Sequence, residues 1–299
     1  MDTLLRAIDA SETIRVLAAV TTDTVREACR RQHATHISAV ALGRAITCGA
    51  LLATLGKGEK ERVRVQLAGG GPLGQLAIDG HGDGRVRACL GEALSPKHLA
   101  NRMLDEQPRP STAIAVGHRG HLVVTRDLGL QTPYQGSVEL RSGEIDEDLE
   151  HYLVTSEQLP SALRVAVLLD SEGHVLRAAG VLAQSFPGSD PALIDAVRVR
   201  LSSLRETLVT HERSLEELVG LALGGEPSRS MHQHGVEFHC PCGPQRALGV
   251  LSTLGSADLE SLADEREQTE VTCNFCGLVT EVSAAQIREL AAQLRAHQS

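Results

Sequence analysis

Aromatic residues are nearly missing from this 299-residue chain: it has no tryptophan, Tyr134 and Tyr152 are its tyrosines, and Phe186, Phe238 and Phe275 its phenylalanines. Large rings supply much of the buried area in ordinary cores, so the main core has to be aliphatic. Phe238 and Phe275 flank cysteine pairs. The expectation is that they fill a small metal-centred core, since a small domain needs every large apolar group it has.

Signals for membranes and export are missing as well. No apolar run approaches the ~20 residues of a membrane span, and the start, M-D-T-L-L-R-A-I-D-A, has neither the positive charge nor the apolar stretch of a signal peptide. A cytoplasmic protein with no membrane partner is expected. Positive charge is short too. The net charge is -9, and from Met231 to Ser299 four arginines face nine carboxylates. Phosphate neutralisation dominates nucleic-acid affinity, so this balance argues against a DNA or RNA reader.

Enzyme signatures are also absent: there is no H-E-x-x-H, no G-x-S-x-G and no phosphate loop ending in G-K-S or G-K-T. Gly69, Gly71 and Gly74 match G-x-G-x-x-G in form. Pro72 interrupts them, and a strand-like segment follows where a dinucleotide site needs a helix N-terminus, so they read as turn residues. His118, His121, His151 and His174 sit at turns or beside carboxylates and read as solvated surface. The chain is not expected to be an enzyme.

What the chain does contain is a run of four cysteines in two close pairs. Cys240 and Cys242 stand in F-H-C-P-C-G, and Cys273 and Cys276 in C-N-F-C-G-L, with no cysteine between. A close pair grips one ion only where the backbone turns sharply, and Pro241, Gly243 and Gly277 supply turn chemistry. Four thiolates suit a tetrahedral soft site, for which Zn2+ is the expected ion. Such a site leaves no open position for a catalytic water. His232, His234 and His239 are nearby but read as bystanders beside four sulfurs. The C-x-C pair is tighter than the usual C-x2-C to C-x4-C spacing. If the metal leaves, each pair can close on itself, so the cluster is readable both as a staple and as a redox switch. Cys29, Cys48 and Cys89 are isolated and read as small buried hydrophobes.

Periodicity sets the rest. Residues 13–20 read as a strand, 21–32 as a helix, and 36–55 as a helix apolar nearly all round and therefore central. From Arg62, short alternating stretches joined by glycine turns predict a largely antiparallel sheet. Further strands are expected at 113–116, 122–125, 135–140, 163–169 and 175–183, with a helix over 146–156. Asp190 followed by Pro191, and Ser214 with Glu217, predict two capped helices, and Glu226 to Ser230 a linker. Ser256 is expected to cap an acidic helix, and Ser283 with Gln286 the terminal one. The class is α+β, divided as a core over 1–187, a helical linker over 188–230 and a four-cysteine zinc domain over 231–299.

The two cysteine motifs, together with V-Q-L-A-G-G-G-P-L-G (65–74), Y-Q-G-S-V-E-L (134–140) and Y-L-V-T-S-E-Q-L-P (152–160), resemble the redox-regulated bacterial chaperones of the thirty-three-kilodalton heat-shock family. That resemblance spans essentially the whole chain. It implies a cytosolic, ATP-independent holdase, inactive while Cys240, Cys242, Cys273 and Cys276 hold one zinc. Oxidants such as peroxide would convert them into two disulfides, Cys240 with Cys242 and Cys273 with Cys276. The zinc domain and the helical linker would then loosen, apolar surface would appear, and a homodimer would hold unfolding client proteins during oxidative stress. Two readings stand beside it: a constitutive zinc-stapled binding module, and a thiol-disulfide oxidoreductase, for which Cys273 and Cys276 lack the thioredoxin-like context.

Overall fold

A computed structural model describes residues 1–56, 58–91 and 111–298. The chain forms two compact units, Met1–His239 and Cys240–Ser299.

The first unit is organised by two antiparallel sheets. One has the order β10-β1-β2-β9-β8, formed by β1 (Thr3–Asp9), β2 (Ile14–Val20), β8 (Ser161–Leu169), β9 (Val175–Ser185) and β10 (Ser228–Gly235). The other has the order β11-β5-β4-β3-β6-β7, from β3 (Arg62–Ala68), β4 (Leu76–His81), β5 (Arg85–Cys89), β6 (His121–Asp127), β7 (Tyr134–Glu139) and β11 (Glu237–Phe238). The one parallel pair in it is β11 with β5. Between the sheets lies α2 (His36–Ala53), every residue of which except His36 is buried. By length and composition α2 could cross a membrane, the one such helix among the described residues, but 94% of it is buried inside the protein. The expectation that no apolar run approaches a span is corrected here. A helix enclosed by two sheets must be apolar on every side.

α1 (Thr22–Gln32) and α4 (Ile145–Thr155) flank this central layer. α5 (Pro191–Leu201), α6 (Leu204–Thr210) and α7 (Leu215–Leu223) cover the other face of the five-stranded sheet. There Ile194, Val197, Leu201, Leu204, Leu208, Leu218 and Val219 rest on a floor rich in small residues, among them Ala7, Ala18, Ala162, Ala166, Ala179 and Ala183. Both faces of this sheet are buried, which is why β8 reads S-A-L-R-V-A-V-L-L instead of alternating. The α5 and α7 caps form as expected: Asp190 accepts from the Ala192 N–H at 2.9 Å, and Ser214 and Glu217 make a reciprocal capping box.

β8 is an edge strand, yet α4 closes it. The Leu163 N–H donates to Glu150 at 2.8 Å, and the Val165 N–H to Asp146 at 3.1 Å. Carboxylates one helical turn apart thus meet backbone donors two residues apart.

Several expectations are corrected. Residues 113–116 are a short helix, α3 (Ala113–Val116), not a strand. Its last carbonyls cross the Gly69–Gly74 turn, where a Cβ on Gly71 would lie 2.4 Å from the Ala115 oxygen. The turn reading of those glycines holds, with β4 following and no helix. Glu226 to Ser230 is not simply a linker, since Ser228 onward pairs with β1 as β10. Phe238 leaves the cysteine core: it packs partly against the main core, under the Arg31 guanidinium at 5.1 Å. The unit boundary falls at His239/Cys240, so residues 231–239 belong with the first unit through strand pairing.

β10 carries a pH-sensitive contact. His232 and His234 stack at 5.4 Å. Burial lowers the His234 pKa below its ordinary 6.5, and His232 and Arg6 lower it further against the smaller opposing pull of Asp83 and Glu59. A released β10 therefore binds protons more readily than a docked one, so docking weakens as pH falls below 6.5. Protection of the β10 amides, taken relative to the intrinsic exchange rate at each pH, is expected to fall between pH 7.5 and pH 5.5 more than that of β2, and His234→Gln should flatten the difference.

Candidate metal centre

The second unit is small. Its core is Ala247, Leu251, Leu259, Ala263, Val282, Ile287 and Ala291, all aliphatic, drawn from α8 (Pro244–Leu251), α9 (Ser256–Glu265), β13 (Val279–Ser283) and α10 (Ala284–Gln298). β12 (Gln268–Thr272) and β13 form a two-stranded antiparallel sheet. Gly255, not Ser256, is the N-cap of α9, whereas Ser283 and Gln286 cap α10 reciprocally.

These elements bring the four expected cysteines to one point. The sulfurs of Cys240, Cys242, Cys273 and Cys276 all lie within 4.8 Å of one another. Cys240 and Cys242 are 3.1 Å apart, Cys242 and Cys276 3.4 Å, and Cys240 and Cys273 3.8 Å. A tetrahedron with metal–sulfur bonds of about 2.3 Å has edges of about 3.8 Å, against about 2.05 Å for a disulfide. The separations all exceed a disulfide's, and the four sulfurs are close enough together to hold a shared ion. Three of the sulfurs are half-buried and Cys276 is buried.

Local backbone explains the convergence. β12 delivers Cys273, and the chain reverses at once: the Gly277 N–H donates to the Cys273 carbonyl at 2.8 Å, and the Cys273 N–H to Leu278 at 3.0 Å. Gly277 sits at φ +68°, a left-handed position that suits glycine. At the other pair the Cys242 N–H reaches back to the Cys240 carbonyl at 2.8 Å, across Pro241. Gly243 makes no such turn. It is extended and precedes α8, whose first residue is Pro244.

The thiols are unequal. Burial and the neighbouring thiols push Cys242 up. Burial would raise Cys273 too, but the Cys242 thiol and the N–H groups of Cys276 and Phe275 outweigh it and lower its pKa to about 7. Cys273 thus ionises to a nucleophile or ligand more readily than Cys242. The other cysteines contrast with it: burial raises Cys29 to about 12 and Cys48 well above its ordinary value, and Cys89 is also buried. His232 and His234 lie on β10 beside Arg6, and no histidine joins the metal-capable cluster found among the described residues. His118, His121 and His174 are exposed.

A four-sulfur cluster in a chain that also holds a two-sheet α+β unit narrows the comparison. The family model for the Hsp33 protein matches residues 2–283. The chain belongs to the Hsp33 family. Among its relatives is the 33 kDa chaperonin of Cyanothece sp., 38% identical over 99% of this chain and 98% of its own length. The 33 kDa chaperonin of Clostridium beijerinckii is 32% identical over 97% and 98%. The crystal structure of the Thermotoga maritima 33 kDa chaperonin, a heat shock protein 33 homolog, superimposes with a TM-score of 0.84 at 28% identity, covering 97% of this chain and 98% of that one. Hsp33 is a chaperone family, and a full-length match in both sequence and fold carries the family resemblance over the whole chain.

Proposed function

We propose that this chain is a redox-regulated, ATP-independent holdase of the cytoplasm, held inactive by one Zn2+ on Cys240, Cys242, Cys273 and Cys276. The observation that carries the reading is the meeting of four sulfurs within 4.8 Å in a unit whose own core is small. The all-sulfur donor set and the edge lengths fit zinc, which supplies folding energy when bound.

Peroxide is the oxidant in this reading. Cys240 with Cys242, and Cys273 with Cys276, each give two electrons to one peroxide, which is reduced to water as the S–S bond forms. Every ligand is consumed by the two reactions. The second unit then loses its staple, and the chain running from it through β11 and β10 to α7 is freed to loosen. α5, α6 and α7 cover an apolar sheet face, and their departure opens surface for unfolding client proteins. The active form is a homodimer, with no nucleic acid or membrane partner and no turnover of substrate. The raised pKa of Cys29 and Cys48 keeps those thiols out of the response.

The test is light scattering from a thermally unfolding client. The zinc-loaded reduced chain is expected to leave aggregation unchanged, and the same chain treated with peroxide at elevated temperature to suppress it, reversibly with a thiol reductant. Equal behaviour of both forms would discard the switch in favour of a constitutive zinc-stapled module.

A further inference from the structure

Glu150 stands where three elements meet. It projects from α4, on the central side of the five-stranded sheet, to the free edge of β8, and past that edge to α5 on the opposite face. One carboxylate oxygen accepts from the Leu163 N–H and from the Arg164 guanidinium, both at 2.8 Å. The other accepts from Nε of Arg198 in α5 at 2.7 Å, while Arg198 Nη2 reaches the Ser161 carbonyl at 3.1 Å. The Glu150 side chain is 12% exposed and that of Arg198 33%. A largely desolvated carboxylate therefore fastens the first of the covering helices to the sheet.

We propose that Glu150 is a positioning residue, a latch that sets how readily α5 leaves the apolar sheet face. Its role in regulation rests on the reading above. The fastening itself does not.

The chemistry suits a contact made to open. Losing one partner of a buried ion pair is costly because the other charge is stranded. Here neither is stranded: with α5 displaced, Glu150 keeps Arg164 and the Leu163 N–H, and Arg198 keeps Asp195 one turn back on its own helix. The Leu163 and Val165 donors of the sheet edge stay satisfied in both states. What is lost is the pair of charge-assisted contacts from Arg198, to Glu150 and to the Ser161 carbonyl, which align Arg198 with the sheet only while α5 is docked. Another side-chain fastening of this layer, Arg177 to the carbonyls of Leu208 and Val209, holds the end of α6 and not α5.

The experiment is hydrogen exchange on the reduced, zinc-loaded full chain, comparing wild type with Glu150→Gln, Arg198→Gln and the double variant. A hydrogen bond between charged groups corresponds to roughly a tenfold or larger shift in a local opening equilibrium. Amides of Val197 to Leu201 are expected to exchange about tenfold faster in either single variant, no faster in the double, and at a partly restored rate in Arg198→Lys. Amides of α2 should not change, which separates a latch from general loss of stability. Unchanged α5 exchange in both single variants, or effects that multiply in the double, overturns the proposal. A parallel client assay should show a lower peroxide dose for the Gln variants. If no form of the protein responds to peroxide, the redox reading fails, while the exchange result still decides the latch.

Discussion

Cys240→Ser, or a strong chelator added to the zinc-loaded chain, is expected to unfold Cys240–Ser299 while the sheets packed around α2 in Met1–His239 stay folded. The second unit buries seven core residues, three of them alanines, beneath a two-stranded sheet. A domain of about 60 residues leaves much of its surface wet, and a lone hairpin is marginal in water. A structural zinc contributes about 10 kcal/mol or more to such a unit. Its loss exceeds anything this core can supply. Amide exchange would read the result directly: protection from Ala247 to Ala291 should collapse to near-random-coil rates, with β2, β9 and α2 unaffected. Retained protection in that segment would show that the aliphatic core suffices and that the sulfurs are no staple.

Arg44→Met should be the most damaging single change in the first unit. Arg44 lies in α2 with 2% of its side chain exposed, bonded to Glu144 and 3.6 Å from Asp146, whose side chain is wholly buried. Methionine fills similar space but leaves two carboxylates without their cation, a loss of about 3–5 kcal/mol. The urea midpoint at neutral pH should fall accordingly. Acid changes the comparison. Burial would raise Glu144, but Arg44 foremost, with Ser111 and Thr112, holds it below its ordinary 4.5. Wild type thus loses that contribution as pH falls through and below 4.5, where the folded state clings to fewer protons than the unfolded one. Without the arginine, buried Glu144 favours protonation, so the gap between variant and wild type should narrow in acid. Adding Glu144→Gln to Arg44→Met should recover part of the loss.

The residues that sequence made legible were those with one dominant local cause. α2 was readable because a helix enclosed by two sheets has no polar face, and α5 and α7 because Asp190, Pro191, Ser214 and Glu217 are start signals that act within a turn. The cysteine cluster was readable because few other arrangements account for two close pairs of soft ligands. β1 and β10 were not. Their pairing joins residues more than 200 positions apart, and β10, S-R-S-M-H-Q-H-G, is exposed along nearly its whole length, so it has no apolar alternation to report it. α3 was misread because A-I-A-V fits a strand as well as a helical turn, and its partners are the backbone of the Gly69–Gly74 turn. Phe238 was misplaced by proximity: one step beyond the strand that carries it, the chain passes into the other unit. Glu150, Asp146 and Arg44 gave no signal, because isolated charges look solvated until the fold buries them.

The closure of β8 by α4 decides how a foreign chain can be held. The Leu163 and Val165 donors are committed to Glu150 and Asp146, and displacing α5 frees neither. An extended polypeptide arriving at that side would find apolar side chains on the sheet face but two of the β8 edge donors already taken. Growth of a shared sheet, the step by which an aggregate recruits its next member, would be hindered at the strand beside the surface that α5 covers. In the proposed holdase, adhesion there would be separated from templating, and a captured chain would remain free to leave.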